Sequence, residues 1–161
     1  MKKSRFLTQS AIIAALYAGL TWLQNLLLPG SASWAIQFRV SEALCVLAFL
    51  TPAAIPGLAI GCMLFNLTFA AALPLDFLVG TLASCLSAVA MYMLRKHPLL
   101  GLSMPALFNA VLVGWELDLY IGGGFWLCAV QVAIGELAVL YTLGLGFYYA
   151  IRGRKLDRWL R

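Results

Sequence analysis

The chain has 161 residues, 63% of them hydrophobic and 11% charged, with a net charge of +5 and a mean hydropathy of +0.94. No soluble domain of this size is so apolar, because too little polar surface would remain to face water. The basic residues sit mostly in two terminal clusters, which suits membrane orientation better than nucleic-acid binding, and the length allows one integral membrane domain.

A spanning helix needs about 20 apolar residues. The first predicted span is Phe6–Leu28, closed by Pro29-Gly30. A short basic stretch precedes it and no small-residue cleavage site follows, so it reads as a retained helix and not a signal peptide. After a polar loop through Ser33 and Arg39 comes Ser41–Thr51, bounded by Pro52 and Pro56. About a dozen residues barely cross half a bilayer as an α-helix, so whether this second segment fully spans is left open. The third span is Ile55–Leu73 and the fourth Leu75–Leu94, ending in Arg95-Lys96-His97-Pro98. The fifth, Met104–Ile121, stops at Gly122-Gly123-Gly124, and the sixth, Phe125–Ile151, leads into a basic tail. The expected fold is an all-α bundle of six transmembrane helices.

Six segments put both termini on one side of the membrane. Lys2, Lys3, Arg5, Arg95, Lys96, Arg152, Arg154, Lys155, Arg158 and Arg161 then share that side, and Arg39 alone lies opposite. By the positive-inside rule both termini are expected in the cytoplasm.

Five of the six acidic residues fall within or at the ends of apolar stretches: Glu42, Asp76, Glu116, Asp118 and Glu136. A carboxylate near the bilayer centre costs roughly 2.5–3.5 kcal/mol, so such groups usually face a cavity and mark a functional path. Glu42 and Asp76 open the second and fourth segments at the outer face. Glu116 lies about 8 Å and Glu136 about 16 Å inward, with Asn66 and Gln131 at roughly 9 Å and Asn109 near the midplane, at about 1.5 Å per residue. Polar groups concentrate in the outer half, the profile of a pocket open to the outside. Five carboxylates against one arginine favour a cationic ligand rich in N–H donors. Trp34, Phe38, Trp115, Tyr120, Phe125 and Trp126 lie near the same level and could stack a flat ring.

Plainer roles compete. Trp and Tyr at this level are ordinary interface anchors. Arg39 can pair with Glu42, Asp76 can cap its helix, and Asp118 can face water. Glu116 and Glu136 are harder to dismiss, since no basic residue is expected at their level; ligand contact and a proton relay are the alternatives for them. On the first span, Ala11, Ala15 and Gly19, with Ala14 and Ala18, form a small-residue face suited to docking a partner helix or to packing inside the bundle. Gly57 and Gly61 are expected to pack internally.

No GxxxxGK[ST], GxSxG or HExxH motif occurs, so neither ATP hydrolysis nor catalysis has visible machinery, and no internal repeat appears. Cys45, Cys62, Cys85 and Cys128 are scattered without CxxC spacing and read as buried small residues rather than disulfide or zinc sites. His97 stands alone in a basic turn.

The run Gln37-Phe38-Arg39-Val40-Ser41-Glu42-Ala43-Leu44 resembles the QueT family of queuosine-precursor transporters. So do Thr51-Pro52-Ala53-Ala54-Ile55-Pro56-Gly57 with Asn66 downstream, Leu107-Phe108-Asn109-Ala110 and Gly135-Glu136-Leu137. The likeness covers nearly the whole chain in order. It implies a substrate-binding S component of an energy-coupling factor (ECF) transporter in the plasma membrane, without a cofactor of its own. Its implied partners are a transmembrane coupling protein and two ATPases that hydrolyse the ATP, with the first-span alanine face against the coupling protein. The implied ligand is queuine or its aminomethyl or cyano 7-deazaguanine precursor. Glu136 or Glu116 is then expected at the guanine edge, with the other acid or Asp76 at the amine. Asn66, Asn109 and Gln131 would read the ring, and the Pro29–Val40 loop would lid the site. The rival reading is a self-sufficient proton-coupled transporter.

Overall fold

The computed structural model describes residues 3–29, 31, 36, 38–69 and 73–154. Helix α1 runs over Lys3–Leu27, a 3₁₀ helix over Val40–Phe49, α2 over Ala54–Thr68, α3 over Asp76–Met93 and α4 over Pro98–Gly101. Helices α5 (Met104–Ile121) and α6 (Phe125–Val139) follow, and a π-helical turn at Leu140–Gly144 runs into α7 (Leu145–Gly153). Four stretches are long and apolar enough to cross a membrane: Lys3–Leu27, Asp76–Met93, Pro98–Ile121 and Phe125–Gly153. Val40–Phe49 and Ala54–Thr68 are shorter apolar helices. The described residues form no strand.

The fifth predicted span coincides with α5. Pro105 suits the first turn, where its missing N–H costs nothing, and Gly122 ends the helix with φ 78°. The third predicted span was too long, because α2 stops at Thr68. There the Thr68 hydroxyl bonds back to the Leu64 carbonyl at 2.6 Å and accepts the Trp22 indole N–H at 3.0 Å, and Phe69 turns extended. The bond from Trp22 ties the end of α2 to the later half of α1. At the other end, Ser10 Oγ donates to the Ala53 carbonyl at 3.0 Å, so α1 and α2 run parallel, start beside start and end beside end.

The second segment is the main departure from expectation. It is a 3₁₀ helix of ten residues, whereas such runs seldom pass three or four because their hydrogen-bond geometry is poorer. At about 2.0 Å per residue it reaches about 20 Å, where an α-helix of equal length would reach about 15 Å. Surrounding structure holds it in this form. Ser41, Glu42 and Leu44 through Phe49 are all buried, and the segment packs on α1, α2, α3, α6, the π turn and α7. Facing it, Gly144 of the π turn sits against Val46 Cγ1 and Ala43 Cα.

Close backbone approaches set the helix spacing. A Cβ on Gly57 would stand 2.8 Å from Ile13 Cβ, and one on Gly61 would stand 2.7 Å from Tyr17 Cβ and 2.8 Å from the Ala14 carbonyl. Small residues permit such contact between membrane helices. The alanine face of α1 is thereby divided. Ala14 is buried against α2, Ala18 is half-buried, and Ala11, Ala15 and Gly19 stay exposed, with nothing within 4 Å of a Cβ placed on Gly19. Gly61→Val should therefore cost about 1–3 kcal/mol through overpacking, read as a lowered thermal midpoint of the chain in detergent. Gly19→Ala should leave that midpoint unchanged, and equal midpoints for the two variants would overturn the close-approach account.

Candidate ligand site

A charge buried among apolar helices needs partners, because each ion loses its hydration. Arg39 stands at the head of the 3₁₀ helix, 7% exposed. Its Nη1 lies 3.8 Å from Cys62 Sγ on α2. Its charge acts on Glu42 and Asp76, on Glu116 and on Glu136. Four carboxyl groups from four different segments thus lie within electrostatic reach of one guanidinium.

Glu42 lies one 3₁₀ turn beyond Arg39 and is fully enclosed. Its Oε1 accepts the phenol O–H of Tyr17 from α1, and its Oε2 accepts the thiol of Cys45 at 2.9 Å. Tyr17 has no exposed surface. On α6, Glu136 Oε1 accepts Asn109 Nδ2 from α5 at 3.0 Å. Glu116, two turns further along the same face of α5, is wholly buried beside the Asp76 carboxyl. Asp76 Oδ2 accepts the Leu73 N–H at 2.7 Å, and its backbone carbonyl accepts Asn66 Nδ2 at 2.8 Å.

Several acceptors here have no donor. Both oxygens of Glu116, Oε2 of Glu136 and Oδ1 of Asn66 are buried without a hydrogen-bond partner among the described residues. Buried polar atoms are nearly always paired, which marks this cluster as the candidate ligand site. These atoms can only accept when the acids are ionised, and the group they suit offers N–H donors and positive charge.

The structure brings together Arg39, Glu42, Asn66, Asp76, Asn109, Glu116 and Glu136. It leaves Gln131 half-buried on α6 and Trp115, Tyr120 and Trp126 respectively 50%, 42% and 79% exposed, on the outside of the bundle where interface anchors lie. Trp34, like half of the Pro29–Val40 loop, lies outside the described residues.

Two of the sequence readings change. Glu116 and Glu136 were expected to have no basic residue at their level, yet the charge of Arg39 acts on both. Helix capping was one alternative for Asp76, but Leu75 holds the cap position without a side-chain bond, and the Asp76 carboxylate instead fixes the chain before the helix. Asp118, for which facing water was one of the plainer alternatives, is half-buried, and its Oδ1 accepts the Gly124 N–H at 2.9 Å at the exposed surface. That bond closes a turn of three glycines with φ of 78°, 100° and 94°, a backbone only glycine adopts without strain.

Sequence reasoning missed Tyr17, Cys45 and Cys62. Tyr17 carried a usable signal, since a phenol O–H in mid-span must find an acceptor. The cysteines carried none, because their spacing gives no hint that Cys45 donates to Glu42 or that Cys62 lies between Arg39 and Asn66. All four cysteines are free, and no His, Cys, Asp and Glu grouping suited to a metal occurs among the described residues.

A family model described as QueT transporter matches residues 7–153. The chain belongs to the QueT transporter family. No curated protein and no solved structure matches it. The matched stretch carries every residue of the buried cluster, from Tyr17 on α1 to Glu136 on α6. Membership in QueT makes the chain a membrane transport protein, in keeping with its crossing-length helices, and points to transport rather than catalysis.

Within this QueT site, Tyr17→Phe removes a buried hydrogen bond to a carboxylate. Such bonds contribute about 1.5–3 kcal/mol, so the variant should unfold earlier by that amount in denaturant titrations of the detergent-solubilised chain. A stability equal to the parent would take Tyr17 out of the network.

Proposed function

We infer that this QueT protein is the substrate-binding S component of an ECF-type transporter, taking up a queuosine precursor from outside the cell. The observation that carries this reading is the set of buried acceptors on Glu116, Glu136 and Asn66 that have no partner among the described residues, within a cluster where four carboxyls feel one guanidinium. A 7-deazaguanine presents N1–H and an exocyclic amine along one edge, and a carboxylate accepts such a pair of donors side by side. The aminomethyl precursor adds a cation for a second carboxylate. In this reading Glu136 or Glu116 holds the guanine edge, and the other acid or Asp76 takes the amine. Asn66 and Asn109 discriminate the ring.

The same reading supplies the energy from elsewhere. The coupling protein docks on the exposed Ala11, Ala15 and Gly19 of α1, and its two ATPases hydrolyse the ATP. The chain crosses the plasma membrane six times with both termini in the cytoplasm. The clustering of Lys3, Arg5, Arg95, Lys96, Arg152 and Arg154 at segment ends away from the acids supports that orientation.

Calorimetric titration of the purified chain with queuine, its aminomethyl and cyano precursors, guanine and several vitamins tests the ligand class. A deazaguanine should bind most tightly; tightest binding by a vitamin sinks the assignment. Glu136→Gln should weaken that binding at least tenfold, about 1.4 kcal/mol, and unchanged affinity in a folded variant removes Glu136 from the site. Proteoliposomes holding this chain alone should show no uptake under a pH gradient. Uptake there would favour the proton-coupled alternative.

A further inference from the structure

At the end of the bundle away from the acids, a cleft of about 420 Å³ is lined by Phe49, Leu50, Pro52, Tyr92, Arg95, Tyr148 and Arg152. Its size falls within the roughly 300–1,000 Å³ range of small-molecule sites, too large for a lone ion. Two guanidiniums border it, each set by an aromatic residue of its own helix. The Arg95 guanidinium stacks over the Tyr92 ring at 4.6 Å. That of Arg152 lies 5.4 Å from the Tyr148 ring and donates to the Tyr148 hydroxyl at 2.9 Å. The Tyr148 ring is buried and braced edge-on by Phe49 at 5.6 Å. A guanidinium has five N–H donors in a fixed fork that matches phosphate oxygens, so both arginines keep donors for an anion. The five described carboxylates are placed elsewhere, four in the cluster around Arg39 and one, Asp118, at the glycine turn.

A second feature adjoins the first. A groove of about 330 Å³, almost wholly apolar, is lined by Lys3, Phe6, Leu7 and Pro52. Pro52 lines both spaces, so a basic headgroup-sized cleft opens beside an apolar slot on the surface of a membrane bundle. That pairing of polarities is the pattern of one phospholipid molecule. Neither a soluble phosphate nor a protein carboxylate would use the groove. Basic pockets between membrane helices on the cytoplasmic side are known to hold anionic headgroups.

We propose that this end of the bundle binds an anionic phospholipid, its phosphate held by Arg95 and Arg152 and an acyl chain lying along Phe6, Leu7 and Pro52. The site is separate from the ligand cluster and does not depend on what that cluster binds. The lipid ties the start of α1 to the ends of α3 and α7 at the membrane surface.

Native mass spectrometry of the full chain in detergent, titrated with phosphatidylglycerol, phosphatidylcholine or glycerol 3-phosphate, tests this, with thermal midpoints measured alongside. Phosphatidylglycerol should be retained and raise the midpoint, and the other two should do neither. Arg95 is exposed, so Arg95→Gln should fold normally and weaken phosphatidylglycerol retention about fivefold, the factor expected for one cation near an anionic headgroup. Leu7→Glu should also weaken it, through the groove alone, whereas Lys96→Gln, which borders neither space, should leave it unchanged. Equal retention of phosphatidylcholine overturns the proposal, as does full retention in the Arg95→Gln variant. Equal stabilisation by glycerol 3-phosphate would make this a soluble-anion site instead, and loss of retention on adding a peptide carboxylate partner would make it a protein-docking site.

Discussion

Four of the buried or half-buried carboxyl groups of this bundle lie within the electrostatic reach of one buried cation. Arg39 sits where a guanidinium has lost its water, and its compensation comes from Glu42, Asp76, Glu116 and Glu136. A buried ion stripped of its counter-charge is far more costly than the pair is favourable, so Arg39 constrains the positions of the 3₁₀ helix, α3, α5 and α6 together. The balance is uneven, with four acids to one base.

The 3₁₀ helix is what allows this arrangement. It carries Arg39 at its head and Glu42 within its first turn, and it touches nearly every long helix. A stretched backbone reaches deeper than an α-helix of ten residues would, at the expense of weaker internal hydrogen bonds. Tight neighbours offset that weakness. The glycines of α2 draw α1 close enough for Tyr17 to reach Glu42, and the π turn accommodates the opposite side at Gly144. π turns inside α-helices recur at functional sites, and this one begins four residues after Glu136.

The two ends of the bundle carry opposite chemistry. Acceptors and carboxyls fill one half, while guanidiniums stacked on tyrosines line the other. The exposed part of the α1 alanine face lies between, with open space around Gly19 where α2 does not cover it.

The sequence by itself determined that this is a helical membrane protein, where most helices lie, which acids are costly enough to require a reason, and, through its motifs, the QueT family. Those properties are local: hydropathy over about twenty residues, a proline or glycine stop, a charge out of place. The start of α3 at Asp76 and both ends of α5 were legible for that reason. Only tertiary structure decided the rest. The charge of Arg39 acts on Glu116 and Glu136 from another segment, Tyr17 serves Glu42 across 25 positions, and Asn109 pairs with Glu136 rather than with its own helix neighbour Glu116. The 3₁₀ form of Val40–Phe49 was equally hidden, since its backbone prefers an α-helix on local grounds and is stretched by packing on all sides. Contacts between distant residues depend on how helices pack, and no window of sequence contains that information.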